Sequence, residues 1–279
     1  MSRFAFLGPA GTFTEEALLS LGLPGVEPVP CASIEDVFAA VESGDAARGI
    51  VPIENSVEGS VNATLDALAF DSSAIIQQEL VLDIRHALMA APGVRLSDVT
   101  AVVSHPQATA QCRRWLADNL PGRPVVAANS TAEAVQRAVS EPGLAAVGTR
   151  LAAELYGAVV LEPSVEDYAG NQTRFVVIGR EVMRRTGDDK TSLALFIRAD
   201  KPGALLMILS EFAYGEINLT KIQSRPTKKA LGEYMFFVDL QGHLEDENVI
   251  LALECLRLKL REVKVLGSYP RAPKRAESV

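Results

Sequence analysis

The chain has 279 residues, 48% apolar and 22% charged, which is the balance of a folded globular protein of two or three domains rather than a disordered or fibrous one. Its formal net charge is −8, from 27 Lys and Arg against 35 Asp and Glu, with no basic run except near the C-terminus, so nucleic-acid partners are not expected. No apolar run reaches the roughly 18 residues of a membrane helix, "MSRFAFLGPAG" carries no secretion signal, and Cys31, Cys112 and Cys255 suit reduced thiols rather than disulfides or zinc. A cytoplasmic protein without membrane association is the expectation.

Along the chain, up to about residue 180, short apolar or β-branched runs alternate with amphipathic helical patterns. "RFAFLG" leads into "PAGTFTEEALLSLG", "EPVPCAS" into "IEDVFAAVESG", and "RGIVPIENS" into "VEGSVNATLDALAF". "VTAVVSHPQ" is followed by "ATAQCRRWLADNL", "PVVAANS" by "TAEAVQRAVSE", and "LAAVGTR" by "LAAELYG". Capping-box spacing marks helix starts at Thr12 with Glu15 and at Ser130 with Glu133. This alternation predicts βαβ units and parallel sheets.

The extended stretch 75–93 separates two groups of units and predicts a crossing between two lobes, and "TRFVVIG" is expected to return to the first lobe's sheet. Lobe one is therefore placed at about 1–77 and 160–182, and lobe two at about 78–159. "EVMRRTGDDK" reads as a connector. Residues 190–270 then follow a β-α-β-β-α-β order, the ferredoxin-like α+β pattern, and 271–279 read as a basic tail.

In open parallel sheets ligands bind beyond the carboxyl ends of strands, and here those ends are polar. "GPAGTF" offers Gly11 and Thr12 at a helix N-terminus, suited to an anion or simply to a capped turn. "VPIENSVEGSV" sets Glu54, Asn55 and Ser56 at a strand end, where Asn55 or Ser56 also fits a plain cap. "SHPQATAQC" adds Ser104, His105 and Gln111. In "AGNQTRFVVIG", four polar residues, Asn171 to Arg174, lead into a strand. Amides, hydroxyls and one carboxylate suit the orientation of a polar small molecule.

Taken together and in this order, "GPAGTF", "VPIENSVEGSV", "SHPQATAQC" and "NQTRF" resemble prephenate dehydratases, and "PGALL" with "INLTKIQSRPT" resembles their C-terminal ACT regulatory domain. The resemblance implies a two-lobed, periplasmic-binding-protein-like α/β catalytic domain (1–182) with its site in the cleft. An α+β ferredoxin-like ACT domain (190–270) follows. The implied catalytic residues are Thr173, Glu54, Asn55 and Gln111, with Arg174, Ser104, Ser56, Gly11, Thr12 and Phe175 binding substrate.

On this reading prephenate loses CO2 and its ring hydroxyl, Arg174 holds a carboxylate, and Thr173 meets the leaving oxygen with proton help from a buried Glu54. No cofactor or metal is implied. Phenylalanine is the implied effector, at Gly203, Ala204, Leu205, Asn218, Leu219, Gln223, Ser224, Arg225 and Pro226 between ACT domains of a homodimer or homotetramer. Gln223 stands where the family usually has Glu. Arogenate is the alternative substrate, and a non-catalytic small-acid sensor the alternative class.

Overall fold

The computed structural model describes residues 2–199, 201–228 and 233–272. In chain order the first lobe holds β1 (Ser2–Leu7), α1 (Phe13–Ser20), β2 (Val26–Cys31), α2 (Ile34–Ser43), β3 (Arg48–Asn55), β4 (Gly59–Ser60), α3 (Asn62–Asp66) with a π-helical turn Ala67–Asp71, and β5 (Ile75–Asp83). The second holds β6 (Ala87–Ala90), β7 (Ala101–Ser104), α4 (Pro106–Gln111), α5 (Arg113–Asn119), β8 (Val125–Ala127), α6 (Thr131–Ser140), β9 (Leu144–Gly148), α7 (Arg150–Tyr156) and β10 (Val159–Glu162). The chain then returns to the first lobe as β11 (Gln172–Gly179).

The first-lobe strands run β5-β11-β3-β1-β2, with β2, β1 and β3 parallel and β11 antiparallel to both of its neighbours. In the second sheet the order is β10-β6-β9-β7-β8. Local periodicity therefore found the units and the return strand, but the lobe boundaries need correction. β5 pairs with β11 along its whole length, so 78–83 belong to lobe one. β10 pairs with β6, so the return comes after Glu162 rather than at 160. The two crossings are residues 84–86 and 163–171.

Helix starts divide in a similar way. Ser130 accepts the Glu133 N–H at 3.0 Å, as its spacing predicts. Thr12 does not cap α1: its hydroxyl donates to the Leu7 carbonyl, while Glu15 accepts the Gly11 N–H.

Beyond the connector come β12 (Asp189–Phe196), α8 (Ala204–Tyr214), β13 (Leu219–Pro226), β14 (Tyr234–Gln241), α9 (Glu247–Lys259) and β15 (Glu262–Pro270). Their sheet order is β13-β14-β12-β15, every pair antiparallel, which is the ferredoxin-like arrangement expected. One face of this sheet, with Leu195 and Val238, packs on Ile208, Phe212, Leu253 and Leu256 of the two helices. The other face does not form a core of its own. Phe196, Met235, Phe237 and Leu266 share one buried cluster with Leu68, Ile76 and Val176 of lobe one.

At Gly267 the two sheets meet edge to edge, bridged in parallel to Ile76. A Cβ at Gly267 would lie 2.3 Å from the Ile76 carbonyl oxygen, so only glycine admits this approach. The connector is a boundary along the chain but not within the core. Of the expected tail, residues 273–279 lie outside the described residues.

Candidate active site

Side chains on a strand alternate between its two faces. β3 and β11 are paired with Thr173 opposite Asn55 and Arg174 opposite Glu54. One face thus carries Asn55, Thr173 and Phe175, which line a cavity of about 410 Å³ between the lobes. Lobe one also contributes Thr12, Phe13 and Thr14, the first crossing His86, and lobe two His105, Gln107, Gln111, Ser130 and Thr131.

A chain of amides holds this wall, and the backbone sets its polarity. Asn55 Oδ1 accepts the N–H groups of Val57 at 2.9 Å and Glu58 at 3.0 Å, so Asn55 Nδ2 must face the other way. It donates to Asn171 Oδ1 and to Thr173 Oγ1, both at 2.8 Å. Asn171 Nδ2 in turn donates to Gln111 Oε1 at 2.7 Å. Because that oxygen is an acceptor, His86 Nε2, 3.1 Å away, carries the hydrogen. Burial pushes the His86 imidazole down from its ordinary value, so the ring is neutral at neutral pH, against smaller opposing effects of Gln111 and Glu166.

The outcome matters at Thr173. Its oxygen already accepts from Asn55, and no acceptor for its own proton occurs among the described residues. The hydroxyl is left to donate into the cavity.

Among the described residues lining the cavity none is Lys, Arg, Asp or Glu. The N-termini of α1 and α6 open onto it instead, at Thr12–Thr14 and Ser130–Thr131. Free N–H groups and hydroxyls at helix starts favour anions without a fixed cation.

The prephenate dehydratase family profile matches residues 4–183. A prephenate dehydratase of Mycolicibacterium vanbaalenii is 43% identical over 286 residues, covering 97% of this chain and 91% of the relative. The crystal structure of a prephenate dehydratase from Arthrobacter aurescens in complex with L-Phe is 39% identical, with a TM-score of 0.90 over 99% of this chain and 92% of that one. The chain belongs to the prephenate dehydratase family. A structure described as GqqA, a novel type of quorum quenching acylase, is also similar, 30% identical with a TM-score of 0.87 over 98% of this chain and 100% of that one.

Within this prephenate dehydratase fold the residues expected together divide. Asn55, Gln111, Thr173, Thr12 and Phe175 share the cavity. Glu54 and Arg174 do not: strand parity turns them to the back of the sheet, against the C-terminal module. There the Arg174 guanidinium donates to Asp239 at 2.6 Å and to the Tyr269 hydroxyl at 2.9 Å. Its Nε lies 2.7 Å from Glu79 but off the hydrogen-bond axis, a Coulombic contact. Glu54 is 3.1 Å from Lys221 and 3.7 Å from Arg174. Arg174 is thus engaged away from any substrate carboxylate, and Glu54 away from any leaving group.

Three further placements differ from expectation. Ser104 is fully buried and donates to the Val147 carbonyl at 2.6 Å, tying β7 to β9. Ser56 Oγ accepts the Gln172 N–H at 2.9 Å and braces the second crossing. Gly11 sits where the lobes touch: its carbonyl accepts the Thr149 hydroxyl at 2.7 Å, and a Cβ would meet Ala152 at 3.0 Å.

The expected effector residues divide as well. Gly203, Ala204, Leu205 and Ser224 line a groove of about 830 Å³ with Tyr234 and Phe236; Asn218, Leu219, Gln223, Arg225 and Pro226 do not. Gln223 Oε1 accepts the Ser60 hydroxyl at 2.6 Å, and Arg225 donates to both Asp66 oxygens at 2.7 and 2.9 Å. These two hold lobe one, not the groove.

Proposed function

We propose that this protein is a prephenate dehydratase, converting prephenate to phenylpyruvate, CO2 and water. The observation that carries the reading is the Thr173 hydroxyl: oriented by Asn55, its proton is free to point into a cavity that no Lys, Arg, Asp or Glu lines among the described residues. In the reaction the C–C bond to the ring carboxylate breaks, its electron pair completes the aromatic ring, and the C–O bond to the ring hydroxyl breaks. One proton is consumed as the departing oxygen becomes water; with Glu54 on the far face, solvent in the cleft supplies it.

Thr173 donates to that oxygen as charge builds on it, and Asn55, Asn171 and Gln111 hold the donor still. The starts of α1 and α6 receive the carboxylates. Such sites act on developing charge without reorganising, which is why aromatisation needs no nucleophile here. No nucleophile–base pair occurs in the cavity among the described residues: Thr173 is bonded to Asn55, His86 to Gln111, and His105 Nδ1 to the Gln107 N–H. An acylase reading therefore lacks its chemistry.

Prephenate and arogenate differ by a ketone against an ammonium. With no acidic residue lining the cavity among the described residues, an ammonium there has no partner for its charge. Incubation at neutral pH is expected to yield phenylpyruvate from prephenate, with kcat/KM for arogenate lower by at least about tenfold, the effect of roughly 1.4 kcal/mol. No phenylpyruvate would remove the function; equal use of arogenate would remove the specificity.

For the C-terminal module we propose an ACT-type effector site that takes phenylalanine in the groove at Gly203–Leu205 and Ser224, closed by a second copy of the chain. Its exposed apolar lining supports this, with Leu205 at 38% and Leu206 at 68% exposure, as does the L-Phe complex of the Arthrobacter relative. Gln223, bonded to Ser60, plays no part in the groove, so its replacement of Glu leaves ligand contacts unchanged. Titration calorimetry with phenylalanine, tyrosine and tryptophan is expected to show binding of phenylalanine; heat from none of them would end this reading.

A further inference from the structure

Arg174 follows Thr173 in β11 and so lies directly behind it, on the other face of the same strand. Its donors do not stop at one partner. Arg174 Nη2 donates to the Tyr269 hydroxyl, and Arg174 Nη1 to Asp239 Oδ2. Ser192 gives its only proton to Asp239 Oδ1 at 2.6 Å, so across the 2.6 Å contact between Ser192 and Tyr269 the phenol is the donor. Burial keeps that phenol protonated and able to donate.

The result is a closed ring. Arg174 donates to Tyr269, Tyr269 to Ser192 and Ser192 to Asp239, and a second donation from Arg174 to Asp239 closes the ring. Its three other members sit on β15, β12 and β14, three adjacent strands of the C-terminal sheet. Tyr269 and Ser192 are buried, and neither lines the cavity.

We propose that Arg174 is a positioning residue through which the C-terminal sheet sets the placement of the Thr173 hydroxyl. The backbone of β11 is the link: clamping the Arg174 side chain from behind fixes where the neighbouring Cα, and hence Thr173 Oγ1, stands in the cleft. This rests on the reading of Thr173 as the group that meets the leaving hydroxyl. A misplacement on the order of 1 Å can cost about 10²-fold in rate, so a small slackening of the ring is legible in turnover.

The test removes one ring atom far from the cleft. Tyr269→Phe deletes the hydroxyl and keeps the ring volume, and Ser192→Ala is the second variant should the first fold poorly. Either is expected to lower kcat on prephenate at least about tenfold with KM nearly unchanged, because the lost interaction acts only in the transition state. In a Thr173→Ala background the same substitution is expected to change nothing, since the group it positions is gone. An equal loss in both backgrounds, or a lower melting temperature with wild-type kcat, would assign the ring a structural role only.

A second readout needs no substrate. The Thr173 methyl resonance in methyl-labelled full-length protein, identified by its loss in Thr173→Ala, is expected to shift in Tyr269→Phe. If the wild-type protein does not turn over prephenate, the functional reading fails and this shift alone decides the coupling. An unmoved methyl would overturn it.

Discussion

Thr173→Ala is expected to lower kcat for prephenate by about 10²–10³-fold, the usual cost of removing one preorganised hydrogen-bond donor aimed at developing charge. KM should move little, since the hydroxyl matters most once charge develops on the departing oxygen. The fold is expected to survive. Asn55 Nδ2 loses one of its two acceptors and keeps Asn171 at 2.8 Å, so no buried amide is abandoned. Thr173→Ser retains the donor and should retain most activity, whereas Thr173→Val keeps the shape and should fail like alanine. Steady-state kinetics with thermal melts on the three variants checks this. Near-normal turnover in Thr173→Ala or Thr173→Val would end the assignment.

Asp239→Ala is expected to cost about 3–5 kcal/mol of stability, the range for removing one partner of a buried ion pair. Behind β11, Arg174, Lys190 and Lys221 face Glu79, Asp239 and Glu54. Asp239 accepts from both Arg174 and the buried Ser192, so its deletion leaves Arg174 Nη1 and the Ser192 hydroxyl without their acceptor, with Glu79 and Glu54 as the remaining anions beside the guanidinium. Burial alone pushes the Asp239 carboxyl up, but Arg174, Ser192 and Lys190 outweigh it and hold the group below the usual carboxylate range.

The sign of its pH dependence follows. A depressed carboxylate contributes stability that is fully present above its unfolded value of roughly 3.9, and that is lost as pH falls through the lower folded value. Denaturant titrations should show the wild type losing stability on acidification below about pH 4. Asp239→Ala, weaker at pH 7, should lack that part of the slope. Equal stability of the two proteins at pH 7 would show that the pair carries no net burden of burial.

How legible these features were in the sequence depends on whether their physics is local. The βα units, the return of "TRFVVIG" to lobe one and the ferredoxin-like order rest on periodicity within short windows, and the structure has them. The lobe boundaries depend on which strand pairs with which, and nothing in residues 78–83 or 160–162 says that β5 meets β11 or that β10 meets β6.

At the site, runs of adjacent polar residues in the sequence suggest a single cluster. A strand does not allow this, because "EN" and "TR" each send one residue forward and one back. The same parity shows what was missed: Asn171 shares a face with Thr173 and Phe175 and stands at the centre of the amide chain. His86 had no such signal. Its role comes from folding a crossing segment against Gln111, which no spacing in "LDIRHALMA" encodes.

The two-sided strand also constrains how this chain can vary over evolutionary time. One residue inserted or deleted between Asn171 and Phe175 would exchange the roles of the two faces. It would deliver a guanidinium to the cleft, take from Asp239 its ion-pair partner and leave Glu79 with Lys190 alone. No single substitution repairs both sides at once. A length change is therefore forbidden between Asn171 and Phe175, and the crossing before it is itself anchored, by the buried Val165, by Glu166 accepting the His86 N–H at 3.0 Å and by Asp167 accepting the Arg114 and Trp115 N–H groups. The segment is constrained in length before it is constrained in residue type.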